Sequence, residues 1–171
     1  METFVSSAET REETLARMVR EHQASLLRLC YLSLRDQELA RDAVQETFLK
    51  AYEGLHTFRG ESTEKTWLTR IAINVCRDMR RAKWYRYVDR RFAPDAPKER
   101  EEASEEKIEL DIAISRLPGK LREAVLLYYY QGMSVEEMAE VLHAAKSTVS
   151  MRIRRARERL HITLEGGDDL D

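Results

Sequence analysis

An all-α chain of two small helical domains joined by an acidic linker, the second domain a helix-turn-helix, is the fold that the sequence predicts. Three observations carry this expectation. Only 6 Gly and 3 Pro interrupt 171 residues that are 43% hydrophobic and 35% charged, a balance suited to long helices rather than many-turned sheets. Apolar residues recur at helical spacing through most of the chain. One charged stretch without apolar period, 92–104, parts the helical segments into two groups.

Taken in order, residues 1–12 are expected to be flexible, and the first helical stripe runs from Glu13 to Leu34. Leu15, Val19, His22, Leu26, Leu29 and Cys30 share its inner face, with His22 at the core edge. Asp36 is placed to cap a second helix from about Gln37 to Leu55, in which Ala40, Ala43, Val44, Thr47, Phe48, Ala51 and Leu55 face inward and Gly54 signals the stop. The segment from His56 to Ser62 has turn chemistry. Helical pattern resumes near Thr63 through Trp67, Leu68, Ile71, Ala72, Val75 and Met79, so the first domain covers 13–91. After the linker, a helix from about Glu105 ends near Leu117, Pro118 suits the first turn of the next, and Leu121, Val125 and Tyr128 line that helix's inner side. The second domain spans 105–164, and 165–171 form a flexible tail.

The net charge of −2 hides a strong segregation of charge along the chain. Arg70, Arg77, Arg80, Arg81, Lys83, Arg86, Arg90 and Arg91 face only Asp78 and Asp89 in the first basic block. Glu99, Glu101, Glu102, Glu105, Glu106 and Glu109 follow, and the stretch from Lys146 to Arg159 is basic again. Cys30 and Cys76 lack any CxxC pairing or histidine cluster, which predicts two buried thiols and neither a disulfide framework nor a metal site. No run of about 18 uncharged apolar residues and no signal-peptide pattern is present, so a cytoplasmic protein without membrane insertion is expected.

Ser134-Val135-Glu136-Glu137 is a capping box, in which the serine hydroxyl and the glutamate carboxylate satisfy each other's backbone N–H groups. It starts a helix whose inner positions are Val135, Met138, Ala139 and Leu142. His143-Ala144-Ala145 is the turn. Val149, Ile153, Ala156 and Leu160 then form the inner stripe of a second helix, the layout of a helix-turn-helix with an exposed second helix. Opposite that stripe lie Ser147, Ser150, Met151, Arg154 and Arg155, with Lys146, Thr148, Arg152, Arg157 and Arg159 around them. Arginine forks pair with guanine edges or phosphates, and short hydroxyls let the backbone come close to a major groove.

The Trp67 helix has a comparable asymmetry. Leu68, Ile71, Ala72, Val75 and Met79 point one way, and Arg70, Ile73, Asn74, Arg77, Arg80 and Arg81 the other. Trp67 borders a loop with Phe58, Arg59 and Lys65, which brings aromatic and cationic groups together for stacking on unpaired bases. The Gln37 helix instead carries Asp42, Gln45, Glu46 and Glu53 around an outward Leu49, a face suited to a protein partner.

Asp42 to Tyr52 (DAVQETFLKAY), Trp67 to Asn74 (WLTRIAIN) with Asp78 and Arg81, Leu117-Pro118 and the helix-turn-helix follow one another in a specific order. In this the chain resembles the extracytoplasmic-function group of bacterial sigma-70 factors, which keep sigma regions 2 and 4. The resemblance implies an alternative sigma factor that binds core RNA polymerase and directs promoter-specific initiation, melting DNA without ATP or cofactor. It assigns Asp42, Gln45, Glu46, Leu49 and Glu53 to the clamp helices of the largest polymerase subunit. Phe58, Arg59, Lys65, Trp67, Arg70, Asn74, Arg77, Arg80, Arg81 and Lys83 would open and read the −10 element. Lys146, Ser147, Thr148, Ser150, Met151, Arg152, Arg154, Arg155 and Arg157 would read the −35 element, the same domain touching the flap of the second-largest subunit. The acidic linker would lie in the channel that template strand later occupies. A cognate anti-sigma factor, usually membrane-associated, is implied as a further partner in a stress response.

The chain departs from the group's pattern at Glu64, where an apolar or aromatic residue is usual, and at His143 and Ser147, where glycine is common. With Met151 also on the reading face, these bear on promoter preference. Two rival readings remain on the residues alone: a free-standing helix-turn-helix regulator on paired half-sites, and a helical adaptor whose basic faces are merely solvated. An enzyme is not indicated, because His22, His56, His143 and His161 fall in unrelated contexts without nucleophile or metal spacing.

Overall fold

Thr10 opens the first helix with a capping box, its hydroxyl accepting the Glu13 N–H at 3.2 Å while the Glu13 carboxylate accepts the Thr10 N–H at 2.9 Å. Helix α1 therefore spans Arg11–Leu34 and includes two residues that the sequence places in a flexible start. The computed structural model describes residues 9–90 and 104–166, the stretch 83–90 by its backbone alone. All the regular structure among these residues is helical. The predicted acidic linker lies outside the described residues except for Ser104, which caps α4.

Asp36 accepts the Leu39 N–H at 3.0 Å and starts α2, Gln37–Gly54, which a short 3-10 turn at Leu55–Thr57 closes. Helix α3 covers Glu64–Arg90, running well past the Met79 at which apolar period fades, because its later residues alternate charge and aromatic groups without a stripe to read. Met18, Leu26, Leu29 and Cys30 of α1, Ala43, Val44 and Phe48 of α2, and Leu68, Ala72 and Cys76 of α3 form the first core. Cys30 and Cys76 are both buried free thiols. Their mutual hydrogen bond and then burial push the Cys30 thiol well up, while the same bond holds the Cys76 thiol down.

The second domain comprises α4 (Glu105–Ser115), α5 (Gly119–Val125), α6 (Val135–Leu142) and α7 (Lys146–Glu165). Pro118 stands at the N-cap of α5, where its missing N–H costs no helical bond. Helix α5 runs into a π-helical turn, Leu126–Tyr130, in which Gln131 N–H reaches Leu126 O at 3.0 Å. The wider turn buries both Leu126 and Leu127, sets Tyr129 outward, and breaks the period expected from Val125 to Tyr128.

The two domains pack against each other through α3 with α6 and α1 with the π turn, and their cores join in a single buried cluster. This corrects one sequence expectation. Ile73, expected on the outward basic face of α3, is 0% exposed because the second domain covers that side. Thr66 and Thr69 are buried along the same stripe. A helix with apolar residues on two faces is covered on two faces.

Candidate nucleic-acid interface

Helices α6 and α7 build the first face. Ser134 Oγ accepts Glu137 N–H at 3.1 Å, Glu137 accepts Ser134 N–H at 3.2 Å, and the helix they start ends at His143 in the left-handed conformation, φ 49°. The turn buries Val149, Ile153 and Ala156 of α7 against Met138, Val141 and Leu142, which leaves Lys146, Ser147, Ser150, Arg154 and Arg155 exposed. Thr148, Met151 and Arg152 are half-buried at the border. Arg157 is turned aside, for it donates to Tyr129 Oη and lies 5.4 Å from that ring's centre. Lys146 lies 3.7 Å from Glu136, while Arg154 and Arg155 have no acidic partner among the described residues and stay open to phosphate.

The α3 face is arranged differently. Phe58 stacks on Trp67 with ring centres 4.8 Å apart, Trp67 remains half-buried, and Arg59 and Asn74 are exposed. Arg81 is exposed and paired with Asp78 at 2.7 Å. Lys65 donates to the carbonyl of Gln131, and Arg77 and Arg80 both reach Glu123 of α5 at 2.8 Å. Arg70 is half-buried, and Lys83 is described by its backbone alone. The residues predicted to read the −10 element thus share one helix and its preceding loop, but the second domain holds three of them.

Glu123 is the residue that sequence reading missed. It is 2% exposed, and burial pushes its carboxyl up, but hydrogen bonds and charge from Arg77 and Arg80 more than offset this and hold it below the ordinary carboxylate range. The same contact raises the Arg77 guanidinium. An acid set between Leu121, Ala124 and Val125, all buried, was the available signal, since a carboxylate on an inner face needs a cation from elsewhere. Gln131, 3% exposed and also missed, exchanges hydrogen bonds with Ser25 of α1 at 2.9 and 3.2 Å.

On the far side of the first domain, Asp42, Gln45, Glu53 and Leu49 of α2 are exposed, Leu49 to 58%, while Glu46 is half-buried and lies 3.9 Å from Lys50. No described group of the chain covers this leucine. Elsewhere Glu21, His22 and Glu64 bring ligand-type atoms within 4.8 Å of one another, but Arg17 already engages both Glu64 oxygens, at 2.7 and 3.0 Å. Ion pairing satisfies that carboxylate without a metal.

Comparison with known proteins then decides the family. Residues 18–86 match the family described as Sigma-70 region 2, and residues 107–160 match Sigma-70, region 4. The ECF RNA polymerase sigma factor SigM of Mycobacterium tuberculosis is 37% identical over 151 residues, which cover 84% of this chain and 73% of that protein. The chain belongs to the extracytoplasmic-function (ECF) sigma factors. The RNA polymerase sigma-H factor of Pseudomonas aeruginosa is 34% identical over 169 residues, covering 86% of this ECF chain and 84% of its own. Among solved structures, the sigma factor RpoE in complex with the anti-sigma factor NepR, from Bartonella quintana, matches with a TM-score of 0.78 at 25% identity, over 90% of this chain and 98% of that one. Function follows from family here: this is an alternative sigma factor, of a kind that is generally not enzymatic. Among the described residues no helix is long and apolar enough to cross a membrane.

Proposed function

We propose that this ECF factor divides promoter recognition among its three faces and acts in the cytoplasm. Asp42, Gln45, Glu46, Leu49 and Glu53 dock on the clamp helices of the largest polymerase subunit, where the exposed leucine gains burial that the described residues of the chain do not offer. The loop from Phe58 to Thr63 and α3, whose first turn carries Lys65, take the displaced −10 strand, Trp67 and Phe58 offering ring faces and the arginines phosphate contacts. The α7 helix reads the −35 duplex while its domain touches the flap of the second-largest subunit. Domains 13–91 and 105–164 are the working units, and the acidic linker lies along the template channel. An anti-sigma factor that covers these faces is a further expected partner, membrane-associated as is usual in the group; the solved RpoE–NepR complex supports the general partnership.

The observation that carries this reading is the exposed Ser147, Ser150, Arg154 and Arg155 set over the buried stripe of α7. Opening is driven without ATP when each base that leaves the stack finds a ring or pocket, which offsets a few kcal/mol of unstacking. The two elements are about 25 base pairs apart, roughly 85 Å of B-DNA, so the domains must separate to reach both. The test adds the purified chain to core RNA polymerase on a pool of genomic promoters. Specific initiation is expected, and Arg154→Ala should lower it roughly 10-fold to 100-fold and relax the −35 preference. No stimulation on any promoter refutes the proposal.

A further inference from the structure

The seam between the domains is built from the cations assigned above to promoter DNA. Glu123 accepts from Arg77 Nε at 2.9 Å and Nη2 at 2.8 Å, and from Arg80 Nη2 at 2.8 Å, with its own side chain only 3% exposed. Lys65 donates to Gln131 O, and Thr66 Oγ1 donates to Glu137 Oε2 at 3.1 Å. Glu137 is also the capping-box acid of α6, so the residue that starts the helix-turn-helix binds the helix meant for the −10 strand. A bidentate carboxylate presents two oxygens to a guanidinium as a phosphate does. The seam spares the rest: α7's reading face and Leu49 stay exposed.

We propose that Glu123 is a built-in substitute for promoter phosphate, holding Arg77 and Arg80 in a closed chain that can meet polymerase and −35 duplex but cannot take the −10 strand until its domains part. This rests on the reading of Arg77 and Arg80 as −10 contacts. Closure is a latch with limited grip, because Nη1 of Arg80, whose Nη2 holds Glu123, is buried without a protein partner among the described residues. A strand carrying a phosphate at every nucleotide offers Arg77 and Arg80 more acceptors than one glutamate does. The closed fraction lowers the apparent affinity for single strands in proportion to its population, and polymerase docking that favours the open form restores it.

Glu123→Gln in the full chain keeps the shape of the side chain and removes its charge. Without polymerase, its affinity for a mixed-sequence single-stranded oligonucleotide should rise on the order of tenfold, with a larger radius of gyration by X-ray scattering. Arg77→Ala with Arg80→Ala in the same background should cancel the gain. Unchanged affinity and dimensions overturn the latch. If polymerase carrying the Arg77→Ala, Arg80→Ala chain still opens promoters normally, the −10 reading is at fault and the latch falls with it; if it opens none while Glu123→Gln changes nothing, only the latch falls. A second route does not depend on how Glu123→Gln folds. Ser25→Cys and Gln131→Cys, joined by a short reducible thiol cross-linker, should give a chain that fails to initiate until reductant is added, and full initiation in the linked state overturns the proposal.

Discussion

Glu64 shows how a residue out of pattern finds its reason in a distant partner. Its carboxylate takes a fork from Arg17 at 2.7 and 3.0 Å with His22 Nε2 at 3.4 Å, fastening the start of α3 to the middle of α1. The sequence marks Glu64 as a departure but does not name Arg17, 47 residues away. Hydrogen bonding from Arg17 pulls the Glu64 carboxyl down, and partial burial opposes this only in part. A depressed carboxylate stabilises the fold above its unfolded pKa, and that contribution fades as pH falls through the folded value. Glu64→Gln should therefore cost about 1 kcal/mol at neutral pH. Urea titrations of the two proteins should converge in acid, and a gap that persists there would contradict this origin. Glu123 was missed for the same physical reason as Arg17, since its partners lie 43 and 46 residues away and no period links them.

At the scale of the element, what is local was legible. The capping boxes at Thr10 and Ser134 and the Asp36 cap all act within three residues, so spacing alone is enough to mark the latter two. His143 closes α6 at φ 49°, a conformation that costs a side-chain-bearing residue more than glycine. His143→Gly should raise the thermal stability of the second domain by up to about 1 kcal/mol without moving the α7 face. Calorimetry reads the first effect, and −35 duplex binding the second. Leu49 is 58% exposed on α2 and contributes little to the core. Leu49→Asp should change the unfolding free energy by less than about 0.5 kcal/mol yet weaken association with core polymerase at least about tenfold. Equal binding in pull-down or fluorescence titration would remove α2 from the docking surface. The π turn at Leu126–Tyr130 had no such local sign, because an added residue in a helical turn serves packing on both sides of the break.

For the molecule as a whole, closure should respond to acid through Glu123. Arg77 and Arg80 face it from α3, while Arg122, its neighbour on α5, and the Cys76 thiol also feel its charge. Its pKa is lowered in the folded chain, so its contribution to closure is intact at neutral pH and is lost as pH falls through that lowered value. The radius of gyration should stay constant from neutral pH to the ordinary glutamate range and increase below it while helical circular dichroism is retained. Expansion that begins near neutral pH would assign the response to another group.

The sequence by itself determined the helical class, the caps, the turn at His143, the outward arginines of α7 and the open face around Leu49, because each depends on residues within about one or two helical turns. Only the tertiary structure decided which cations of α3 are free. Periodicity sees one buried stripe per helix, and the second, through Thr66, Ile73, Arg77 and Arg80, exists because another domain lies against it. Burial of a charge depends on what approaches through space, and in this chain that is a carboxylate supplied by the other promoter-reading domain.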